Sequence, residues 1–398
     1  MLRIRRPIVL TLTIALLIVI ALGAYGYFVG TRTLLEHAEA LAFRRMAVSK
    51  LADREEFRFF FVTNRSVERD DGAVEERFST ERTPTLKYGS FDTGIEPSLG
   101  LGMIIDASTW FINEEIRLTD VRLLAEDAFL DDLLEQVDSS PYNSLLIVVN
   151  GFREAFPSAL RKTAFLGHIL DIDTPLLVFD WPGNQGSSLR GYRRARRVAA
   201  ASGSDLAATL RLVVDRVQPR RLWLIANSMG GEVVAQAFSE LANDPTFADS
   251  EAEIEDVILT APDVSREEFD DRFRAEIEAL ARTTSVYVSS NDRALLVSRW
   301  INRGSRLGES TLDPSNPDQG LSSTALADLV RPGDDRLTLI DVTAVNRTRN
   351  FHNFSLETPE FFDDLFLRLI GDGLPESREL YGIETPEGAR YFVLTKGR

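Results

Sequence analysis

The chain contains no cysteine among its 398 residues. Disulfide bonds, thiolate metal sites and a cysteine nucleophile are therefore excluded, and so is membrane attachment through a lipid-modified cysteine. Basic residues are fewer than acidic residues: the chain has 45 Lys and Arg and 61 Asp and Glu, which gives a net charge of −16. A broad nucleic-acid-binding surface needs clustered basic residues, so we expect no nucleic-acid partner.

Long hydrophobic runs are also rare, and the notable one lies at the N-terminus. Three arginines precede an uncharged stretch from Pro7 to Gly30. A run of about 18 apolar residues can span a bilayer, whereas the core of a signal peptide has roughly 7–15. We predict a transmembrane anchor over residues 1–30, with a cleaved export signal ending near Ala21–Gly23 as the alternative. The arginines favour a topology in which the chain after the anchor lies on the far side of the inner membrane, which in a bacterium is the periplasm. Basic residues that follow the run weaken this prediction.

After a helical linker predicted at 31–55, short apolar runs alternate with longer helical patterns. This alternation predicts an α/β domain over residues 56–371, with a mainly parallel sheet and helices on both faces. A C-terminal extension follows at 372–398. The strands are predicted at 57–62, 145–149, 176–179, 222–226, 257–260, 285–289 and 337–340. The helices are predicted at 158–169, 204–217, 229–241, 267–281, 294–302 and 359–370.

The segment "RLWLIANSMGGEV", residues 221–233, places Ser228 between an apolar strand and a helical pattern. Small residues stand two positions before and two after it, Ala226 and Gly230, as in a G-x-S-x-G turn with alanine in the first place. Such a turn holds a serine hydroxyl exposed at the carboxyl edge of a parallel sheet. The segment predicts a nucleophilic serine. A serine that only caps the helix is the alternative.

A serine hydroxyl needs a base to take its proton, and the chain offers three histidines. His37 lies in the predicted linker and His168 in an apolar helical pattern, so His352, in the loop before the last helix, is the predicted base. Asp292 follows a predicted strand and is the predicted carboxylate partner of the base. Asp263, after the preceding strand, is the second choice. The order serine, aspartate, histidine is typical of hydrolases built on such a sheet.

The segment "LLIVVNGFREAF" predicts the loop that stabilises an oxyanion. Gly151 allows close approach of the backbone, and the N–H of Phe152 is the predicted donor, with an ordinary glycine turn as the alternative. The N–H of Met229, at the start of the helix after the serine, is the second predicted donor. Asn150, Gly151 and Asn227 flank these donors and are predicted to contact the substrate.

Six segments resemble, in order, motifs of a bacterial family of esterase/lipase-like proteins of unknown function within the α/β-hydrolase superfamily. They are "FFFVTNRSV", "LKYGSFDTGI", "VVNGFREAF", "VFDWPGNQGSSLRGY", "LIANSMGGEVV" and "VYVSSNDRALLVS". The likeness runs from about Phe57 to Ile370, and it implies the α/β-hydrolase fold and cleavage of an ester or related acyl bond. The family pattern has histidine where Asn150 and Asn227 stand in this chain.

These features together predict a serine hydrolase acting on a carboxylic ester or a related acyl bond, with a small-molecule or lipid-like substrate. The predicted mechanism needs no metal or cofactor. The two asparagines keep open a membrane-tethered binding or scaffold protein with impaired catalysis. An acyltransferase that uses an alcohol instead of water is a further alternative.

Residues 190–197, "RGYRRARR", concentrate five arginines in an acidic chain. A solvated helix face is one explanation. A basic rim for anionic lipid headgroups is the other, because basic clusters near a bilayer attract anionic lipid. With a membrane anchor, this second explanation suggests a lysophospholipase-like role.

Overall fold

The fold is taken from a computed structural model. It describes residues 16–19, 56–69, 71–95, 116–170, 172–248, 254–290, 292, 294–295, 298, 306–308, 329–333, 336–346, 352, 354–371, 375, 378, 380–384 and 388–395.

Eleven strands of the described residues form one sheet. They are β1 Glu56–Val67, β2 Phe78–Ile95, β3 Ile116–Leu124, β4 Ser144–Val149, β5 Leu176–Asp180, β6 Arg221–Asn227, β7 Ile254–Thr260, β8 Ala281–Val288, β9 Leu337–Asp341, β10 Tyr381–Glu384 and β11 Arg390–Val393. Their order in the sheet is β10-β11-β9-β8-β7-β6-β4-β5-β1-β2-β3. Neighbouring strands are parallel from β11 to β1, and antiparallel pairs occur at the two edges. The predicted mainly parallel sheet is therefore confirmed.

Helices cover both faces of the sheet, as the alternating pattern predicts. They are α1 Glu126–Ser139, α2 Phe156–Leu170, α3 Leu189–Arg216, α4 Gly230–Ala242, α5 Pro245–Ala248, α6 Arg266–Glu268, α7 Arg274–Leu280, α8 Phe354–Glu357 and α9 Pro359–Ile370, with a 3-10 turn at Val74–Glu76 and a π turn at Phe269–Phe273. The first face is covered by α1, α3, α4 and α7, and the second by α2 and α9.

The strand β1 illustrates how the core is divided between these two faces. Phe60 and Val62 belong to the cluster under α1 and α3, whereas Phe59 and Phe61 belong to the cluster under α2. Successive side chains of a strand point to opposite faces, so a run of consecutive aromatic residues suits a strand that is covered on both sides. Complete burial of each such side chain contributes roughly 1.5–3 kcal/mol to folding.

The helix α3 begins at Leu189, well before the predicted start at Ser204, so the prediction of its N-terminus was wrong. Gly203 lies inside this helix, and its role is in packing. A Cβ at this position would overlap the Cβ of Gln236 on α4. The glycine therefore lets α3 and α4 approach closely, which the local sequence does not reveal.

The described residues include no helix with the length and hydrophobicity needed to cross a membrane. The predicted anchor at 1–30 lies outside them apart from residues 16–19, which are helical and exposed. The predicted linker at 31–55 also lies outside them. Of the helix predicted at 294–302, residues 294, 295 and 298 are described and helical. The strands β10 and β11 fall within the predicted C-terminal extension, where β11 pairs with β9.

Candidate active site

Ser228 occupies a sharp turn between β6 and α4. Its φ angle is +53°, in the left-handed region that residues other than glycine seldom adopt. Two backbone hydrogen bonds hold this geometry: the Ser228 N–H donates to the Thr260 carbonyl at 2.9 Å, and the Asp263 N–H donates to the Ser228 carbonyl at 3.0 Å. The turn therefore has the strained geometry of a nucleophile elbow.

The small residues around the serine are required by crowding. Ala226 is fully buried at the end of β6. A Cβ on Gly230 would lie 2.6 Å from the carbonyl oxygen of Val149 and 2.8 Å from that of Asn150. Both neighbours are backbone atoms that cannot move aside, so glycine is needed where α4 begins against β4.

We expect Gly230→Ala to destabilise the fold by about 1–3 kcal/mol, since overpacking against fixed backbone has a cost of that order. Gly231→Ala is the matched control, because the atoms nearest to its Cβ would be side-chain atoms of Pro262 and Val264, at 3.2 and 3.3 Å, and the nearest backbone atom would lie 3.7 Å away. Urea unfolding of both variants provides the measurement. Equal stability losses in the two variants would contradict the crowding argument.

The structure brings Ser228, Asp292 and His352 together at the carboxyl edge of the sheet. Nε2 of His352 lies 2.8 Å from Oγ of Ser228, and Nδ1 of His352 lies 2.7 Å from Oδ2 of Asp292. The histidine thus bridges the hydroxyl and the carboxylate, each within hydrogen-bonding distance. Ser228 is 6% exposed and the His352 side chain 16%, so the site is shielded but open at the imidazole.

Asp292 is held in place by a short helical segment. Its second oxygen, Oδ1, accepts hydrogen bonds from the N–H groups of Ala294 and Leu295, each at 3.0 Å. The carboxylate is buried, and these two donors fix its orientation. Oδ2 is left to accept from the imidazole, which fixes the tautomer with the proton on Nδ1 and leaves Nε2 as an acceptor.

The pKa of His352 is raised above its ordinary value of 6.5. Burial lowers this pKa, but the charge of Asp292 and its hydrogen bond to the ring raise it by more. Asp263 raises it further, whereas Lys162 lowers it. A basic imidazole is suited to taking a proton from a hydroxyl.

Asp263, the second-choice carboxylate, bonds to other partners. Oδ2 accepts from the Tyr192 hydroxyl at 2.7 Å, Oδ1 accepts from the Ser298 hydroxyl at 2.5 Å, and the Arg306 guanidinium lies 3.2 Å away. Burial, with the charge of Asp263 as the next cause, raises the pKa of Tyr192 to about 12, so this phenol stays protonated and donates. The structure therefore places Asp292, and not Asp263, against the imidazole.

The predicted oxyanion loop lies next to the serine. A Cβ on Gly151 would lie 3.0 Å from the Cβ of Ser228, so glycine permits this approach. No described residue accepts a hydrogen bond from the N–H of Phe152 or from the N–H of Met229. Both amides are thus available to an incoming oxygen. The Phe152 ring packs edge-to-face on Tyr192 with a centroid distance of 5.7 Å, which steadies the loop.

The two asparagines predicted to contact the substrate bond to protein groups. The Asn150 amide points toward the Ala159 carbonyl at 3.4 Å. The Asn227 amide donates to the Thr260 hydroxyl at 3.1 Å and to the Ser355 hydroxyl at 3.0 Å. Because Ser355 stands three residues after His352, Asn227 links the end of β6 to the segment that carries this histidine. Contact of either asparagine with substrate stays a prediction.

The other two histidines lie away from this cluster. His168 is in α2, with its ring edge-to-face against Phe57 at 6.0 Å. His37 lies outside the described residues. Sequence reasoning missed the supporting roles of Tyr192 and Ser355. Ser355 stands close to His352 in the chain, but only the fold shows that it meets Asn227.

Two comparisons with known proteins complete these observations. A search of curated proteins found no significant match. A family model described as "Alpha/beta hydrolase of unknown function (DUF900)" matches residues 125–370, which is more than half of the chain. The match includes the serine elbow, the aspartate and the histidine. The chain therefore belongs to this family of α/β-hydrolase proteins of unknown function.

Proposed function

We propose that the protein is a serine hydrolase that cleaves a carboxylic ester or a related acyl bond. The observation that carries this proposal is the continuous hydrogen-bonded relay from Ser228 Oγ through the His352 ring to Asp292, with distances of 2.8 and 2.7 Å. A serine in a strained elbow with a base and an oriented carboxylate is the constellation that acyl transfer requires. Membership in the α/β-hydrolase family supports the same chemistry.

In the first half of the proposed reaction, Ser228 Oγ attacks the acyl carbonyl carbon while Nε2 of His352 takes the hydroxyl proton. The carbonyl oxygen becomes an oxyanion, which the N–H groups of Phe152 and Met229 stabilise. Asp292 stabilises the imidazolium formed in this step. The tetrahedral intermediate then collapses, the bond to the alcohol breaks, and the imidazolium returns its proton to the leaving oxygen.

In the second half, water attacks the acyl-enzyme. His352 takes a proton from this water, and the acid is released when the ester bond to Ser228 breaks. The same groups act in both halves, so the reaction needs only the chain, the ester and water. The two halves together convert one ester and one water molecule into an acid and an alcohol.

The direction of the His352 pKa shift sets the expected pH dependence. Only the neutral imidazole accepts a proton, so activity is lost as pH falls through the pKa of His352. Because this pKa is raised above 6.5, the acid limb of kcat/KM should have its midpoint above pH 6.5. Initial rates with a short-chain nitrophenyl ester between about pH 5 and 9 give the profile. A midpoint below that value would contradict the assignment of His352 as the base.

Asn227 has a positioning role in this proposal. We expect Asn227→Ala to lower kcat by about ten- to a hundredfold with little change in KM, since misplacing a base by about an ångström has an effect of that order. Ser355→Ala removes the other partner of the same bond and should lower kcat in the same direction. The double variant should be little worse than Asn227→Ala alone, because the two changes remove one interaction. Fully additive losses would argue against this link.

We further propose that residues 1–30 anchor the protein in a bacterial inner membrane, with the hydrolase domain in the periplasm. The uncharged run from Pro7 to Gly30 and the arginines before it support this location. Fractionation of cells that express the full chain, followed by protease treatment of spheroplasts, tests it. Recovery of the domain in the soluble fraction, or its protection from protease, would contradict the proposal.

A further inference from the structure

Four arginines near the N-terminus of α3 are exposed, and we refer to them as the arginine face. They are Arg190, Arg193, Arg194 and Arg197. Their spacing of three, four and seven residues places them on one side of the helix. The fifth arginine of this segment, Arg196, is half-buried and lies 3.8 Å from the Glu232 carboxylate on α4. Among the described residues, no carboxylate lies within ion-pairing distance of the arginine face.

The charge in this segment is distinctive for such an acidic chain. No Asp or Glu stands between residues 181 and 204, although the chain has 61 acidic residues. The start of a helix carries partial positive charge and is stabilised by acidic side chains, yet the first turn of α3 has none. Like charges at helical spacing also repel each other. The arginine face therefore lowers the stability of its own helix. A role in binding a ligand explains such a cluster better than a role in folding does.

The position of the arginine face relates it to the proposed active site. Tyr192 lies on the opposite side of the same helical turns, where it bonds to Asp263 and packs on Phe152. A helix with its side chains is about 10–12 Å across. The arginine face is therefore separated from the oxyanion loop by roughly one helix diameter. Leu189, 41% exposed, adds an apolar side chain beside it.

We propose that the arginine face docks on the anionic phospholipid headgroups of the membrane that holds the N-terminal anchor. Guanidinium groups bind phosphate well, and each basic side chain near an anionic bilayer adds to binding. Residues 31–55 join the apolar run to β1 and span up to roughly 80–90 Å when extended, so the domain can turn either edge toward the bilayer. Docking brings the catalytic edge to the lipid surface.

This docking also specifies a substrate class, a point that rests on the proposed function. An active site held about one helix diameter from anionic headgroups meets the acyl esters of phospholipids or lysophospholipids first. Hydrolysis of such an ester uses water and releases a fatty acid and the remaining alcohol.

The docking test uses the full chain reconstituted into vesicles. Since the chain has no cysteine, a single Ser187→Cys, at an exposed position just before α3, takes one fluorescent dye. Lipids that carry a quencher on the headgroup report when this site lies on the bilayer. With about 30 mol% phosphatidylglycerol in phosphatidylcholine, we expect the docked-to-undocked ratio to rise about tenfold over pure phosphatidylcholine. A rise of salt to about 1 M should abolish the difference.

Glutamine replacements provide the matched variants. Replacing all four residues of the arginine face should remove the response to phosphatidylglycerol. A control variant should keep the response to phosphatidylglycerol. It has the same change in net charge and replaces four exposed arginines near the opposite edge of the sheet, Arg216, Arg220, Arg282 and Arg336. Equal quenching in the face variant and the control, or equal quenching in both lipid mixtures, would overturn the proposal.

Two further measurements separate the remaining outcomes. Turnover of a water-soluble nitrophenyl ester is measured in the same samples, and it should be unchanged in the face variant. If the ester is not hydrolysed but docking responds to the arginines, the proposed function fails and the docking surface stands. If a single-stranded DNA oligomer binds the arginine face and phosphatidylglycerol does not, the partner is a polynucleotide and the membrane proposal is wrong.

Discussion

Ser228→Ala should lower kcat for a short-chain nitrophenyl ester by about 10⁵–10⁶-fold, the size of loss that follows removal of a nucleophile from such a relay. The hydroxyl is the only group that the proposed mechanism makes covalent with the acyl chain. Alanine is smaller than serine, and the only side-chain partner lost is that of His352 Nε2, on a ring that is 16% exposed. The measurement is single-turnover and steady-state hydrolysis with the purified full chain.

The folded state serves as the control for this result. Far-UV circular dichroism and the urea midpoint of Ser228→Ala should stay close to those of the wild-type chain, because the backbone bonds of the turn are unaffected. His352→Gln should give a loss of comparable size, and the double variant should be little worse, since the two groups act as a unit. Turnover unchanged in either single variant would contradict the nucleophile and base assignments.

Asp292→Asn should lower kcat by about 10⁴-fold, as expected when the orienting carboxylate becomes an amide. The reason follows from the contacts. The N–H groups of Ala294 and Leu295 both point at one oxygen of this side chain, each at 3.0 Å, so the asparagine must keep its carbonyl there. Its NH₂ group then faces Nδ1 of His352 and makes that nitrogen an acceptor. The ring proton moves to Nε2, which can no longer accept the proton of Ser228.

Asp263→Asn is the matched control, because it removes a buried carboxylate from the same edge of the sheet. Asp263 bonds to Tyr192 and Ser298 and does not orient the imidazole. We expect a loss of less than about tenfold in kcat, with the acid limb of the pH profile moved to lower pH, because the charge of Asp263 raises the pKa of His352. Losses of equal size in the two variants would contradict the choice of Asp292.

Local sequence is sufficient for the parts of this site that depend on local geometry. The elbow at Ser228 needs small neighbours because a strand turns at once into a helix. The small residues that meet this requirement stand within two positions of Ser228 in the sequence. The alternation of short apolar runs with helical patterns likewise predicts the parallel sheet, because strands covered on both faces must be apolar throughout. The resemblance of the motifs supplied the family, which the family model supports.

Tertiary packing decides the parts that sequence could not supply. Asp263 and Asp292 both lie in loops after neighbouring parallel strands, so both reach the same edge, and only the path of each loop decides which meets the imidazole. The early start of α3 is another example, because Gly203 is accommodated by close contact with Gln236 on another helix. The bond from Asn227 to Ser355 joins residues that are distant in the chain. No local pattern marks such a partner.

A fluorophosphonate probe tests whether His352 activates Ser228 as a nucleophile, because this class of probe reacts with a serine only when a neighbouring base activates it. The full chain is incubated with the probe, digested and mapped by mass spectrometry. We expect one adduct on the peptide that contains Ser228. This adduct should be absent from Ser228→Ala and should form much more slowly in His352→Gln. A wild-type chain that takes up no probe, or takes it up equally without the imidazole of His352, would contradict this expectation.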